Sequence, residues 1–224
     1  VWLSFFMSTQ RGFPEADACQ NNLPYGTTKL QSLPEGKLSN ERSVICLAKF
    51  QNPGAFFLGT LVAQEQKFLK PLIENARKNG YTRFVEPCAG AFAMSHIAVQ
   101  SGYKPGQIES SDVAMFTSIM GYAITGQSLE ELEIRAHGFT NEELLDPAVA
   151  LYAQLYLRTV KNAGKEYFYN IMRDLEYRKE EHIRFIREQL DRAKQSLHGM
   201  SYRPLDMWKH LEECYDEPHC IVIA

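Results

Sequence analysis

Cysteine is scarce and scattered. Cys19, Cys46, Cys88, Cys214 and Cys220 are the five cysteines in 224 residues, and no two form a Cys-x-x-Cys pair. An odd, dispersed set of this kind excludes a small disulfide-stapled scaffold and leads us to expect a reducing, cytoplasmic setting. Positive charge is not in excess either: 24 Lys plus Arg stand against 27 Asp plus Glu, a formal net charge of -3. No global positive field therefore marks the chain for nucleic acid or membrane, and any such binding has to come from a local patch. The opening run Val1-Trp2-Leu3-Ser4-Phe5-Phe6 is apolar. It has no basic residues ahead of it and is far too short to span a bilayer, so it supports no targeting assignment. There is no internal repeat, which excludes a solenoid.

What is present suits a soluble globular protein. With 45% hydrophobic and 23% charged residues the chain can bury a core, so collagen-like and wholly disordered classes are excluded. The length fits one domain, or one domain with a substantial insert. Residues 1–48 are rich in Gly, Pro, Asn, Gln and Ser, with turn signals such as Leu33-Pro34-Glu35-Gly36, and read as an irregular arm. Residues 49–127 read as an α/β part. Helical spacing from Ala55 to Ala76 stops at Lys78-Asn79-Gly80, with a kink or restart expected near Pro71. A short strand, Arg83 to Glu86, then leads through a small-residue turn to an apolar helix. Gln107 to Asp112 reads as the next strand, and Ala114 to Thr125 as the next helix.

Residues 128–198 change to charged, helix-periodic sequence, an α-helical insert, with a cap expected at Asn141-Glu142-Glu143 and one long amphipathic stretch from Tyr167 to Leu197. Residues 199–224 return to the sheet, with a short strand at Met200 to Tyr202, a helix from Leu205 to Cys214 and a parallel-type strand from Cys220 to Ala224.

The residues that suggest chemistry cluster after the first strand. Gly90, between Ala89 and Ala91, allows close backbone approach at a helix start, where free N–H groups favour polar or anionic ligand atoms. Asp112, at the end of the second strand, has the position and acidity to accept both hydroxyls of a ribose. The same residues also suit a turn that only packs helix on strand and caps a helix, and both readings stand at this point. His210, Cys214, His219 and Cys220 contain an i, i+4 pair, but their spacing fits no familiar closed zinc site, and no metal is expected. Between Lys161 and Lys194, nine basic residues mix with seven acidic ones. This is either a solvated helix laced with ion pairs, or a surface on which Arg173, Arg184 and Arg187 share a face toward phosphates, near the aromatics Tyr167, Phe168 and Tyr169.

The run Val85-Glu86-Pro87-Cys88-Ala89-Gly90-Ala91-Phe92, followed by Asp112, resembles the first motif of Dam-type DNA adenine-N6 methyltransferases, approximately Val-Glu-Pro-Phe-x-Gly-x-Gly. The resemblance extends in element order over Phe57 to Ala224. It implies a Rossmann-like methyltransferase sheet with an inserted helical region, S-adenosyl-L-methionine as cofactor, and double-stranded DNA bound through the insert. Cofactor contacts are implied at Glu86, Pro87, Cys88, Gly90 and Asp112. An early aromatic-x-Gly segment has its counterpart at Phe57 and Gly59, with Leu61 where the family has lysine. Asp206 matches the acid that touches the cofactor adenine, with capping of the following helix as its alternative role.

Cys88 stands in place of an aromatic and Phe92 in place of the last glycine, so the expected methionine end of the pocket is reshaped or partly closed. The family's catalytic Asp/Asn-Pro-Pro-Tyr/Phe motif follows a strand like Cys220 to Ala224, and the sequence stops there. Truncation of a longer frame is the expectation. A catalytically silent relative binding a nucleotide-like ligand or DNA, and a helical interaction module on an α/β scaffold, are the alternatives. Asp216-Glu217-Pro218-His219 precedes that strand and carries no catalytic assignment.

Overall fold

The computed structural model describes residues 63–161, 164 and 166–223. Its elements alternate as the sequence pattern requires of an α/β chain. Helix α1 is Ala63–Lys78, strand β1 Arg83–Glu86, helix α2 Ala93–Gln100, strand β2 Ile108–Ser111 and helix α3 Met115–Thr125. Helices α4 (Pro147–Lys161), α5 (Glu166–Tyr177) and α6 (Lys179–Leu197) follow, then strand β3 (Ser201–Arg203), helix α7 (Met207–Cys214) and strand β4 (Cys220–Val222). Among the described residues these are seven α-helices and one four-stranded sheet, ordered β3-β2-β1-β4 with every pairing parallel. The fold class is α/β, as expected.

Because the strands are parallel, all four end at one edge. The chain moves outward from β1 to β2 to β3, then returns to the far side of β1 with β4. Side chains alternate across the sheet. Ser110 therefore faces α2, where its hydroxyl meets Ser95, and Ser111 faces the other side, where its hydroxyl meets His210 of α7. One hydrophobic core joins Phe84 and Ile108 of the sheet with Ile119 of α3, Leu151 of α4 and Ile186 of α6, so the helical segment is packed on the α/β part through shared apolar contacts.

Three local expectations are corrected. Helix α1 runs through Pro71 without a restart; it ends where expected, with Gly80 at φ +87° and its N–H donated to the carbonyl of Arg77. The stretch from Tyr167 to Leu197 is two helices, broken at Arg178, whose backbone leaves the helical region at φ -117°, ψ 30°. The Leu175 carbonyl, near the end of α5, accepts instead from the Tyr152 hydroxyl of α4 at 3.0 Å. The expected cap at Asn141 is made by Thr140, whose hydroxyl accepts from the Glu143 N–H while the Glu143 carboxylate accepts from the Thr140 N–H. This capping box opens only a single 3-10 turn, Glu143–Leu145.

Candidate functional site

Three loops leave the shared strand edge, at 87–92, 112–114 and 204–206. They carry the sequence-predicted residues Pro87, Cys88, Gly90, Asp112 and Asp206; Glu86 is the last residue of β1. Phe57 and Gly59 lie outside the described residues.

The loop after β1 is held at its base and at its tip. At the base, the Glu86 carboxylate reaches forward past the loop to the start of α2. It accepts from the N–H groups of Met94 (3.3 Å) and Ser95 (3.2 Å), from the Ser95 hydroxyl, and from the Ser110 hydroxyl of β2 (3.2 Å). Burial pushes the Glu86 carboxyl up to about 8, against the pull of those donors from Ser95, Ser110 and the two amides. At the tip, the Gly90 N–H donates to Asp112 Oδ2 over 3.0 Å, while Asp112 Oδ1 accepts from the Ala114 N–H over 2.8 Å. The Ala89 N–H donates to the Ser111 carbonyl at 3.0 Å.

Positive φ marks two positions in this turn, Gly90 (+50°) and Phe92 (+60°). A glycine would adopt the second without cost. Here phenylalanine holds the left-handed conformation with its ring fully buried, edge-on to Tyr202 at a centroid distance of 5.6 Å. The phenylalanine that stands in place of the motif's last glycine is thus absorbed into the core while its backbone takes the left-handed turn.

Asp206 is exposed and caps α7, its Oδ1 accepting from the Trp208 N–H at 2.9 Å. The next residue, Met207, meets Cys88 across the loops, sulfur to sulfur, at 3.3 Å. Burial raises the Cys88 thiol above its ordinary value, and the negative charges of Asp112, Glu86 and Asp206 add to the rise. The expected residues of the three loops are therefore brought to one edge, with acidic groups facing it. In Asp112, two oxygens that each accept one backbone N–H keep further lone pairs for hydroxyl donors.

Sequence reasoning missed Tyr202, whose hydroxyl donates to the Asp112 carbonyl at 2.7 Å and lies 3.1 Å from the Ser118 hydroxyl. His210, which the sequence offers only as a metal-ligand candidate, is fully buried with Nδ1 2.7 Å from the Ser111 hydroxyl. The consecutive small polar residues Ser110-Ser111 at the end of a buried strand were the available signal: buried hydroxyls need partners on both faces.

The arginines expected on one helical face are divided, Arg173 on α5, Arg184 and Arg187 on α6, and Arg187 is paired with Asp146 at 2.6 Å. Tyr169 is half-exposed. No group of three or more His, Cys, Asp or Glu side chains able to hold a metal ion is present among the described residues. No helix among them is long and apolar enough to cross a membrane.

Comparison with known proteins gives one family. Residues 57–224, well over half of the chain, match the family model described as phage DNA adenine methylase-like domain 1. No curated protein and no solved structure matches. On this match, and in agreement with the motif at Val85 to Phe92, the chain belongs to the phage DNA adenine methylase-like family.

Proposed function

We propose that the protein is an S-adenosyl-L-methionine-dependent methyltransferase acting on adenine N6 in DNA, built on a Rossmann-like sheet. The strand order β3-β2-β1-β4 supports this: it reverses beside β1, and ligands of open parallel sheets bind outside the strand ends at such a reversal. The observation that carries the choice of ligand is the occupancy of the loop donors. The amides that a phosphate would use at the start of α2, those of Met94 and Ser95, are already taken by Glu86, and that of Gly90 is taken by Asp112. A loop in which the Gly90, Met94 and Ser95 amides are already engaged by carboxylates, and which carries Asp112 and Asp206 beside it, favours a ligand with hydroxyls and a positive charge. S-adenosylmethionine carries a ribose diol, an ammonium and a sulfonium, and no phosphate.

In this reading Asp112 accepts from the ribose hydroxyls, Pro87, Cys88 and Gly90 line the loop along the cofactor, and Asp206 faces its adenine. The resemblance assigns Phe57 and Gly59, outside the described residues, to the same cofactor. When bound, S-adenosylmethionine would supply an electrophilic methyl for the adenine nitrogen, with the C–S electron pair left on sulfur and the amine proton passing to solvent. The protein's share is alignment of the two partners. In this reading the residues described here serve the cofactor half of the reaction. Double-stranded DNA is assigned to the helical segment 128–198, where Arg173 and Arg184 are exposed. The free thiols of Cys88, Cys214 and Cys220 fit a cytoplasmic protein.

The test is transfer. The protein is incubated with methyl-labelled S-adenosylmethionine and adenine-containing duplex DNA, and the nucleosides are separated by mass. Label in N6-methyladenine is expected. Label elsewhere contradicts the proposal, and cofactor binding without any transfer identifies the catalytically silent relative.

A further inference from the structure

Glu86 belongs to the family-like motif, yet its carboxyl group is buried between the first turn of α2 and Ser110 of β2. It is 2% exposed and surrounded by its own fold. Both carboxyl oxygens are engaged: Oε1 by the Met94 amide, and Oε2 by the Ser95 amide and the hydroxyls of Ser95 and Ser110. These contacts join the end of β1, the first turn of α2 and the neighbouring strand β2 at one point. The segment between Glu86 and Met94 is therefore a loop closed on itself by a side chain, and it contains Cys88, Gly90 and the left-handed Phe92.

We propose that Glu86 is a positioning residue for cofactor binding: its carboxyl group, locked to the α2 amides and Ser110, sets the course of residues 87–92 and does not touch the cofactor. This rests on the reading that the loop binds S-adenosylmethionine. A negative carboxylate holds the amides and the positive end of the α2 dipole more firmly than a neutral carboxyl does. The groups facing Glu86 are Ser95 and the Met94 and Ser95 amides from α2, and Ser110 from β2. Cys88, Asp112 and Asp206 are the titratable groups of the adjoining loops. The elevated Glu86 value puts the change of state in an accessible pH range.

The experiment uses the full chain as wild type, Glu86→Gln and Cys88→Ser. Amide hydrogen exchange is followed over residues 87–95, and S-adenosylmethionine affinity is measured by calorimetry from roughly pH 6.5 to 9.5. The expected result for Glu86→Gln is exchange in 87–95 faster by about tenfold, with α3 to α6 unchanged, and affinity weaker by about tenfold. Wild-type affinity rises with pH through the Glu86 transition, Cys88→Ser keeps that rise, and Glu86→Gln loses it.

Weakened affinity with unchanged loop exchange makes Glu86 a direct ligand and overturns the proposal, as does a variant that binds and exchanges like wild type. If Glu86→Gln does not fold, Ser110→Ala removes one of the donors and is expected to show both effects in smaller measure; neither effect overturns the proposal. Wild-type protein that binds no S-adenosylmethionine overturns the cofactor reading and this proposal with it, and is distinguished by occurring without any substitution.

Discussion

Gly90 donates its backbone N–H to the carboxylate of Asp112 over 3.0 Å, so two residues 22 positions apart close the loop after β1 onto the loop after β2. The same carboxylate takes the Ala114 N–H ahead of α3, and the Asp112 carbonyl takes the Tyr202 hydroxyl from β3. One acidic residue thus fixes three neighbouring strand ends relative to one another. A ligand seated on this edge meets a framework already assembled, which lowers the ordering cost of binding.

Gly121 marks how closely α3 approaches β3. A Cβ at this position would overlap the Tyr202 ring atoms Cγ, Cδ1 and Cδ2, and an aromatic ring hydrogen-bonded at its far end cannot swing aside. Gly121→Ala is expected to lower stability by about 1–3 kcal/mol, despite the better helix propensity of alanine, because overpacking outweighs a propensity gain of about 1 kcal/mol. Urea denaturation measures it; a variant as stable as wild type contradicts the packing described.

Phe92 sets two effects against each other. Its left-handed backbone costs about 1 kcal/mol, while truncating a fully buried phenylalanine costs about 3–5 kcal/mol. Burial wins, so Phe92→Gly is expected to destabilise by about 2–4 kcal/mol. Phe92→Ala loses the same ring and keeps the strained φ. It is therefore expected to be no more stable than Phe92→Gly, the reverse of the usual order of these residues. Thermal unfolding of the pair decides it.

Glu86 makes stability depend on pH in the direction opposite to an ion-paired carboxylate. Its folded-state value, about 8, lies above the ordinary 4.5. Between these values the native chain retains a proton that the unfolded chain has lost, so stability falls as pH rises across that window. The full span corresponds to a contribution on the order of 5 kcal/mol. Unfolding free energies of wild type and Glu86→Gln, measured from roughly pH 5 to 9, are expected to differ by an amount that changes with pH in this sense. Parallel curves contradict the assignment.

Much of this edge was legible in the residues themselves. A β-branched and aromatic run followed by Pro-Cys-Ala-Gly, and an acid closing the next strand, imply strand, tight turn and strand end whatever surrounds them. The direction of Glu86 was not legible, because it depends on Ser110, which reaches it only through strand pairing. Asp206 was legible as both ligand and cap, and the Trp208 amide shows that the cap is made. The break at Arg178 was hidden because the apolar period continues across it; the partner that accommodates the break, Tyr152, comes from another helix. Phe92 read as an obstruction to the pocket, and only the position of Tyr202 shows where its ring goes.

The proposed function stands on S-adenosylmethionine binding at the Gly90–Asp112 edge. Calorimetric titration of the cofactor into wild-type protein and Asp112→Ala tests it most directly, with circular dichroism confirming that both are folded. Wild type is expected to bind, and the variant to bind at least about tenfold more weakly, as follows from loss of a charged hydrogen-bond acceptor. Equal affinity in the two folded proteins, or no binding by wild type, would contradict it.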